Sequence, residues 1–117
     1  MKLIELINAR KALANISTSG MKMPFPIAYK ISKFMSETQH DEDFYNEKVT
    51  DIFKEYGETD DEGKIVVPKE DRDKVEPLMK ELTETEIEDC SIRFSSEDFG
   101  GMDVFVQDCV ALLPIID

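Results

Sequence analysis

The side chains best suited to acid–base, metal or redox chemistry are few in this sequence. His40 is the sole histidine and lies in the polar segment 39–43, and Cys90 and Cys109 are the sole cysteines. The cysteines lack the C-x-x-C spacing of zinc and redox sites. We therefore predict a solvated His40, two unbonded cysteines that act as small apolar side chains in a reducing compartment, and no metal or cofactor. A weak transition-metal contact at His40 and a disulfide between the cysteines are the alternatives.

The acidic residues offer oxygen ligands, but their spacing does not match a calcium loop. Glu58, Asp60, Glu62 and Gly63 fit the first, third, fifth and sixth positions of an EF-hand, in which the glycine allows a sharp turn. Lys69 then stands at the twelfth position, where a bidentate glutamate is required. The segment is therefore predicted to be a solvated hairpin turn, with adventitious divalent binding as the alternative.

A phosphate site and a catalytic carboxylate pair are also disfavoured. Gly100 and Gly101 precede a predicted helix, and helix N-termini can hold phosphate. Asp98 and Asp103 beside them carry the wrong charge for that ligand, so we interpret the two residues as turn glycines. With 26 acidic residues in the chain, carboxylates that are close in sequence have no diagnostic value. No set of residues points to a reaction, and the sequence predicts a protein that is not an enzyme.

Apolar side chains spaced by three and four residues predict helices in the first half of the chain. The first helix covers about residues 2–16, and the next begins at Pro26, which suits a first helical turn because it lacks a backbone donor. It is either one long helix or two abutting helices broken near residues 39–43. Gly57 is predicted to end it in the left-handed conformation. The positions after Pro26 that follow this spacing are Ile27, Ile31, Phe34, Met35, Thr38, Tyr45, Val49, Ile52, Phe53 and Tyr56.

The second half of the chain predicts a small sheet. Residues 64–67 are mostly β-branched, and apolar residues recur through residues 87–94 with one bulge. These patterns are typical of strands. We predict that the two segments pair as a small antiparallel sheet.

Two further helices complete the predicted fold. One lies near residues 74–83 with Asp73 as its cap, and the last runs from residue 102 to 113 and is halted by Pro114. Neither a repeat nor a linker divides the chain. The prediction is a single α+β domain, residues 1–117, in which the N-terminal helix and the long second helix pack with a small antiparallel β-hairpin and two further helices.

The charge is strongly asymmetric along the chain. Residues 1–35 carry six basic side chains and one acidic one, residues 36–117 carry eight basic and 25 acidic ones, and the net charge is −12. Either the basic third docks on the acidic remainder, or the acidic surface meets a basic partner. No apolar run is long enough to cross a bilayer, and the charged N-terminal region does not resemble a signal peptide. We therefore expect neither secretion nor membrane insertion.

Several short motifs together span nearly the whole chain. They are the amphipathic first helix, Pro24-Phe25-Pro26-Ile27-Ala28-Tyr29-Lys30-Ile31, Tyr56-Gly57, the acidic turn with Gly63 before residues 65–68, residues 78–82 and 86–92, and the apolar last helix. In this order they resemble a family of small phage-encoded proteins, a domain of unknown function found in tailed phages and prophages of Gram-positive bacteria. The resemblance implies a phage protein of the host cytoplasm or the virion, and it supplies no activity or functional residue.

A non-enzymatic phage accessory protein, either a virion component or an assembly factor, is the first functional hypothesis. It acts through contacts with a phage or host protein, not with nucleic acid or a membrane, and a homo-oligomer is left open. The predicted contact residues are Phe44 and Tyr45 on the long helix and Ile115 and Ile116 in the tail. Core packing is the alternative for the two aromatic residues.

The C-terminal tail gives this hypothesis a specific form. Pro114 ends the helix, so Ile115 and Ile116 are expected in an extended segment with their side chains on opposite sides. One then faces the core and the other faces a partner. Removing residues 115–117 is expected to weaken association more than it lowers the stability of the monomer.

An acidic inhibitor is the second functional hypothesis. In it, carboxylates imitate the phosphate backbone and block a host nucleic-acid-binding or defence protein. Mimicry requires rows of Asp and Glu on one face, whereas a structural role requires an apolar contact patch. The geometry of the surface therefore distinguishes the two hypotheses.

Overall fold

Helices dominate the architecture of the protein. The computed structural model describes residues 1–19 and 22–117. The elements are α1 (Leu3–Thr18), α2 (Phe25–Glu37), α3 (Gln39–Tyr56), β1 (Glu58–Thr59), β2 (Ile65–Val66), α4 (Arg72–Thr83) and α5 (Val106–Leu112), with short 3₁₀ turns at Lys69–Asp71, Ser96–Phe99 and Leu113–Ile115. A small antiparallel sheet among helices is the α+β fold that the sequence predicts. None of the helices in the described ranges is long and apolar enough to cross a membrane.

The helix α1 forms the centre of the fold because apolar side chains line most of its circumference. Its buried side chains are Leu3, Leu6, Ile7, Ala9, Arg10, Ala12, Leu13 and Ile16. The main cluster lies between α1 and residues that include Phe34 and Phe94, whose rings meet edge to face at 5.6 Å. A smaller cluster joins Leu3 and Ile7 to Leu82 of α4. Among the described residues, α1 supplies seven of the fourteen buried apolar side chains, and burying one large side chain of this kind contributes roughly 1.5–3 kcal/mol.

The region after Pro26 is two abutting helices, broken at Thr38. Arg10 of α1 is buried at this break and donates from Nη1 to the Met35 carbonyl oxygen (2.7 Å) and Thr38 Oγ1 (2.5 Å). Its Nη2 donates to Gln39 Oε1 (2.8 Å), and its Nε pairs with Glu42. Carbonyl groups at the end of a helix need donors from outside it. Arg10 supplies one at the C-terminal end of α2 and holds the start of α3 in place.

The acidic segment after α3 is a hairpin turn, as predicted. The strands β1 and β2 pair antiparallel, and Asp60 Oδ1 accepts the backbone N–H groups of Glu62 (2.9 Å) and Lys64 (2.8 Å). Gly63 has a φ of 81°. Aspartate that accepts local backbone donors and glycine at positive φ are the usual means of closing a tight turn.

Gly57 ends α3, but the predicted left-handed conformation is wrong. Its φ of −89° and ψ of 152° are extended, and its N–H donates to the Phe53 carbonyl oxygen at 2.7 Å. A Cβ at this position would collide with that oxygen and with the Ile65 side chain. Glycine is needed here because β2 approaches the end of α3 closely.

The predicted second strand at residues 87–94 is also wrong. The segment makes no ladder with β2, whose partner is β1. One isolated bridge joins Lys2 to Glu86, just before the segment, and another joins Phe94, at its end, to Ile116. The apolar side chains of the segment that pack in the main cluster are Ile87, Cys90, Ile92 and Phe94. Their spacing therefore identifies core residues correctly, but a ladder also requires a neighbouring strand, and the two ends of the chain supply single bridges.

The last two helices begin at other residues than predicted. In α4 the N-cap position is Asp71, not Asp73, and Pro77 lies within the helix. The helix α5 begins at Val106, four residues after the predicted start at Met102. A 3₁₀ turn at Ser96–Phe99 and an irregular segment occupy the chain before it, so α5 is shorter than its apolar composition suggests.

The C-terminal tail folds onto the core, and the expected extended segment is wrong for Ile115. Pro114 lies within the 3₁₀ turn Leu113–Ile115, where its missing donor is tolerated. Ile115 is only 1% exposed. The Phe94 N–H donates to the Ile115 carbonyl oxygen (3.0 Å), and the Asp117 N–H donates to that of Phe94 (2.8 Å). The tail thus closes the core.

Ion pairs connect the basic N-terminal third to the acidic remainder of the chain. They are the Met1 ammonium with Asp89 (3.0 Å) and Glu86 (3.5 Å), Lys30 with Asp98 (2.8 Å), and Arg10 with Glu42. These contacts support the first of the two interpretations of the charge asymmetry, in which the basic third docks on its own acidic remainder.

Candidate protein-interaction surfaces

The outward face of α5 is apolar although it meets solvent. Phe105 is 75% exposed, Val106 80%, Val110 61% and Leu113 63%, and Cys109 beside them is also exposed. We call these five residues the C-terminal apolar surface. Single apolar side chains are ordinary on a protein surface, but a contiguous group marks an interaction site.

The polarity of α5 is inverted relative to an ordinary surface helix. Its one carboxylate, Asp108, is only 7% exposed and faces inward with Leu112, and Asn15 Nδ2 lies 3.5 Å from Asp108 Oδ1. The C-terminal apolar surface occupies the other face at four- and three-residue spacing. A surface helix normally turns its apolar stripe to the core and its charges to water. The helix α5 turns valines to water, and that arrangement favours a partner that covers them.

A cavity of about 330 Å³ adjoins the C-terminal apolar surface. It is lined by Ser96, Phe99, Met102, Val104, Cys109, Leu112, Leu113 and Ile116. Cys109 and Leu113 belong to both features, so the cavity and the surface are continuous. Apolar pockets of this kind are where the anchoring side chains of a partner bind.

The four residues predicted to contact a partner lie in different environments. Ile115 is part of the main core, and Ile116 is half-buried in the wall of the C-terminal cavity. Tyr45 is half-buried against the smaller cluster, as the core-packing alternative expects. Phe44 is 46% exposed. Phe44 and Ile116 therefore remain accessible, whereas Ile115 has almost no surface to offer.

A groove of about 400 Å³ lies between α3 and α4. Its apolar side chains are Phe44, Ile52, Leu78 and Leu82, and its polar ones are Lys48, Asp51, Glu55, Glu81 and Thr85. Lys48 Nζ lies 5.5 Å from the centre of the Phe44 ring. Three carboxylates against one ammonium make the rim negative, and we call this feature the acidic-rimmed groove.

The helix α2 presents aromatic and basic side chains to solvent. Phe25 is 80% exposed and Tyr29 61%, and the exposed Lys33 follows at the same four-residue spacing. Ile31 and Phe34, on the other side of the helix, are buried. We call Phe25, Tyr29 and Lys33 the α2 face.

A polar cleft of about 400 Å³ gathers the residues most able to do chemistry. Its lining includes Met1, Glu37, His40, Asp41, Asp89 and Cys90. The hydrogen bond between the N-terminal ammonium and Asp89 raises the pKa of the ammonium and lowers the pKa of the carboxyl. Burial, followed by Glu37 at 3.7 Å, raises the pKa of the Cys90 thiol. A thiol with a raised pKa stays protonated at neutral pH and is a weak nucleophile.

The structure confirms part of what the sequence predicts for the histidine and the two cysteines. The His40 side chain is 79% exposed, near Asp41, so it is solvated as predicted. Cys90 and Cys109 are free thiols, as predicted, but Cys109 is exposed and does not act as a small core side chain. Within residues 1–19 and 22–117, no three His, Cys, Asp or Glu side chains are arranged to hold a metal ion.

The sequence pattern of the last helix does not identify which of its apolar residues are exposed. Phe105-Val106, Cys109-Val110 and Leu112-Leu113 are adjacent apolar pairs. Such pairs indicate a wide apolar circumference but do not separate a buried helix from an exposed one, since α1 buries both Leu6 and Ile7. The exposure of these residues, like the acidic-rimmed groove and the α2 face, depends on how the helices pack.

Comparison of the chain with protein-family models, with curated proteins and with solved structures finds no match. The function proposed below therefore rests on these surfaces and on the sequence.

Proposed function

We propose that this protein is a non-enzymatic phage accessory protein, a virion component or an assembly factor, that binds another protein through its C-terminal apolar surface. The inverted polarity of α5, with Asp108 inside and Val106 and Val110 outside, is the observation that carries the proposal. The phage part rests on the sequence resemblance, which implies the host cytoplasm or the virion as its location.

The energetics of the C-terminal apolar surface favour a protein partner. Phe105, Val106, Val110 and Leu113 are each more than half exposed, and covering such a side chain contributes roughly 1.5–3 kcal/mol before the cost of association. The adjoining cavity can accept a side chain from the partner. A central apolar contact with a pocket beside it is the usual centre of a stable protein interface.

A triple substitution tests the proposal. The variant Val106→Ser, Val110→Ser and Leu113→Ser removes three of the five side chains of this surface and leaves the inward residues in place. The matched control is Ile65→Ser and Val66→Ser on the hairpin, which are also about half exposed. Both proteins and the wild type carry the same tag and are produced in cells in which the phage is replicating, and the proteins recovered with each are quantified by mass spectrometry.

The expected result is one or more phage or host proteins recovered with the wild type and the control. The triple variant should recover them about tenfold less or worse, since a loss of 1.4 kcal/mol corresponds to tenfold in affinity. Equal recovery with all three proteins, from samples with matching circular dichroism, would contradict the proposal. Mass spectrometry of purified particles then separates a virion component from an intracellular assembly factor.

A row of carboxylates on α3 supports the second candidate function, inhibition of a nucleic-acid-binding protein by mimicry. Asp43, Glu47, Asp51 and Glu55 are all exposed and follow one another at four-residue spacing, which is about 6 Å of helix rise per step. Converting the four to Asn or Gln should abolish binding to a basic host protein if mimicry is the function. The triple α5 variant should then bind that protein normally, and the reverse pattern would favour the first candidate.

A further inference from the structure

We infer that the protein self-associates head to tail, with the α2 face of one copy docked in the acidic-rimmed groove of the next. This contact uses neither the C-terminal apolar surface nor its cavity, so it goes beyond the proposed function and stands independently of it. Two surface features on the same chain, otherwise unrelated, complement each other in shape, polarity and charge.

The acidic-rimmed groove suits an amphipathic helix. It lies between two helices and extends along α3 from Phe44 to Glu55, which corresponds to about 16 Å of helix. Phe44, Ile52 and Leu78, which are at least partly exposed, supply accessible apolar surface within it. A helix that lays an apolar side into a groove between helices is a recurring mode of recognition, read out by side chains spaced three or four residues apart.

The α2 face has the corresponding features. Phe25 and Tyr29 stand one helical turn apart and Lys33 one turn further on, so the row covers about 12 Å of helix and fits within the groove. The two aromatic side chains are 80% and 61% exposed. They therefore do not occupy the groove of their own chain and are free to enter that of another copy.

Charge selects the second copy as the occupant. The α2 face carries one charged side chain, the basic Lys33, whereas the groove rim carries three carboxylates and one ammonium. Lys33 meets a rim that carries Asp51, Glu55 and Glu81. Complementary charges of this kind fix the orientation of a contact and oppose the like-charge repulsion between chains with a net charge of −12.

The symmetry of the contact follows from its two different sides. Because the α2 face and the groove are separate surfaces, each copy can use its face on one neighbour and its groove on another. The copies therefore form a closed ring, the smallest of which is a two-fold dimer with both contacts made, or a filament. Association should increase with protein concentration.

Two variants that each remove one side of the contact test this inference. The face variant is Phe25→Ser with Tyr29→Ser, and the groove variant is Asp51→Lys with Glu55→Lys. The control is Asp43→Lys with Glu47→Lys, which makes the same charge change on the same helix outside the groove lining. All substituted residues are exposed, and far-ultraviolet circular dichroism verifies that each variant is folded.

Sedimentation equilibrium from micromolar to millimolar protein provides the readout. The wild type, the control and the triple α5 variant should gain mass as the concentration rises, while the face and groove variants should each stay monomeric. Mixing the face variant with the groove variant should restore one contact and give a one-to-one dimer and nothing larger. That complementation distinguishes a head-to-tail contact from a symmetric one.

Several outcomes would overturn the inference. They are a wild type that stays monomeric at millimolar concentration, association that the face and groove variants retain, a mixture that does not form the one-to-one dimer, and loss of association in the control. Loss of association in the triple α5 variant alone would instead assign self-association to the C-terminal apolar surface. Binding of a basic amphipathic peptide to the groove of a monomeric wild type would assign the groove to another protein.

Discussion

Arg10 is a charged residue in the middle of a helix that is otherwise apolar on most sides. It is 3% exposed, and its guanidinium has acceptors on both α2 and α3. Removing one partner of a buried charge network leaves the other polar groups without their donors. The main role of Arg10 is therefore to donate the hydrogen bonds that hold α2 and α3 together at Thr38.

Arg10→Met is expected to lower the free energy of unfolding by about 3 kcal/mol, because the substitution keeps the side-chain volume but removes donors to the buried Met35 and Thr38 oxygens. The matched control is Lys11→Met, at the exposed neighbouring position, which should change the free energy by less than about 0.5 kcal/mol. Urea denaturation followed by circular dichroism measures both. Equal effects of the two substitutions would show that the guanidinium network is not stabilising.

Asp98 gives the stability a pH dependence. The Lys30 ammonium at 2.8 Å, followed by the Ser95 N–H at 2.9 Å, lowers the pKa of Asp98. A carboxyl with a lowered pKa in the folded state stabilises the fold above its unfolded pKa, and this contribution is lost as the pH falls through the folded pKa. Asp98→Asn is therefore expected to lower the free energy of unfolding by about 1 kcal/mol at neutral pH.

The difference in the free energy of unfolding between the wild type and Asp98→Asn should become smaller in acid. It should vanish once Asp98 is protonated in the folded protein. Denaturation midpoints between neutral and strongly acidic pH measure it. Glu97→Gln, on an exposed neighbour, is the control and should show no comparable pH-dependent difference. A difference that stays constant down to acidic pH would contradict the ion-pair explanation.

The elements of the fold show which packing constraints a sequence pattern misses. The acidic hairpin turn is predicted because local turn residues determine it. A break after α2 is one of two alternatives in the sequence, and its position at Thr38 depends on Arg10 of α1. The predicted strand at residues 87–94 and the predicted left-handed Gly57 are wrong, because each depends on what lies opposite it: single bridges to the chain ends in one case and Ile65 of β2 in the other. Likewise, the start of α5 depends on the 3₁₀ turn that precedes it.

The candidate surfaces depend on tertiary packing. The exposure of Val106 and Val110, the accessibility of Phe44 and the burial of Ile115 are not determined by the apolar pattern alone. A helical apolar pattern reports that a face is covered, but it does not report whether the same chain or a partner covers it.

Gly57→Ala tests the close approach of β2 to α3. The added Cβ would collide with the Phe53 carbonyl oxygen and the Ile65 side chain, and overpacking of this kind costs about 2 kcal/mol. Gly63→Asn is the control, because Asn tolerates positive φ and no atom lies within 4 Å of a Cβ there. We expect faster proteolysis within residues 57–67 for Gly57→Ala alone. Equal rates of proteolysis within residues 57–67 for the two variants would contradict the steric explanation.

Closure of the whole core depends on the C-terminal tail. Ile115→Ala is expected to lower the free energy of unfolding by about 3 kcal/mol because it leaves a cavity in the main cluster. Ile116→Ala, at a half-buried position, is the control and should cost clearly less. Removal of residues 115–117 is accordingly expected to lower the stability of the monomer more than it weakens association. This reverses the expectation from the sequence alone. An unfolding midpoint that is unchanged by Ile115→Ala would show that the tail does not close the core.

The charge distribution of the whole molecule bears on nucleic acid. Two of the six basic side chains of residues 1–35 are paired with carboxylates, Arg10 with Glu42 and Lys30 with Asp98. Lys2, Lys11, Lys22 and Lys33 are exposed, but the molecule around them has a net charge of −12. Binding to duplex DNA requires several basic contacts to phosphates in one region, and long-range repulsion opposes their formation.

We therefore predict that the protein does not bind duplex DNA directly at physiological salt. Fluorescence anisotropy of a labelled duplex, titrated with protein to high micromolar concentration, should stay constant, and lowering the salt should not produce binding, because weaker screening strengthens the net repulsion. A basic DNA-binding domain titrated under the same conditions serves as the positive control. An anisotropy increase that weakens linearly with the logarithm of salt concentration would be the signature of phosphate contacts. That result would mean that the exposed lysines of the N-terminal third outweigh the acidic remainder locally.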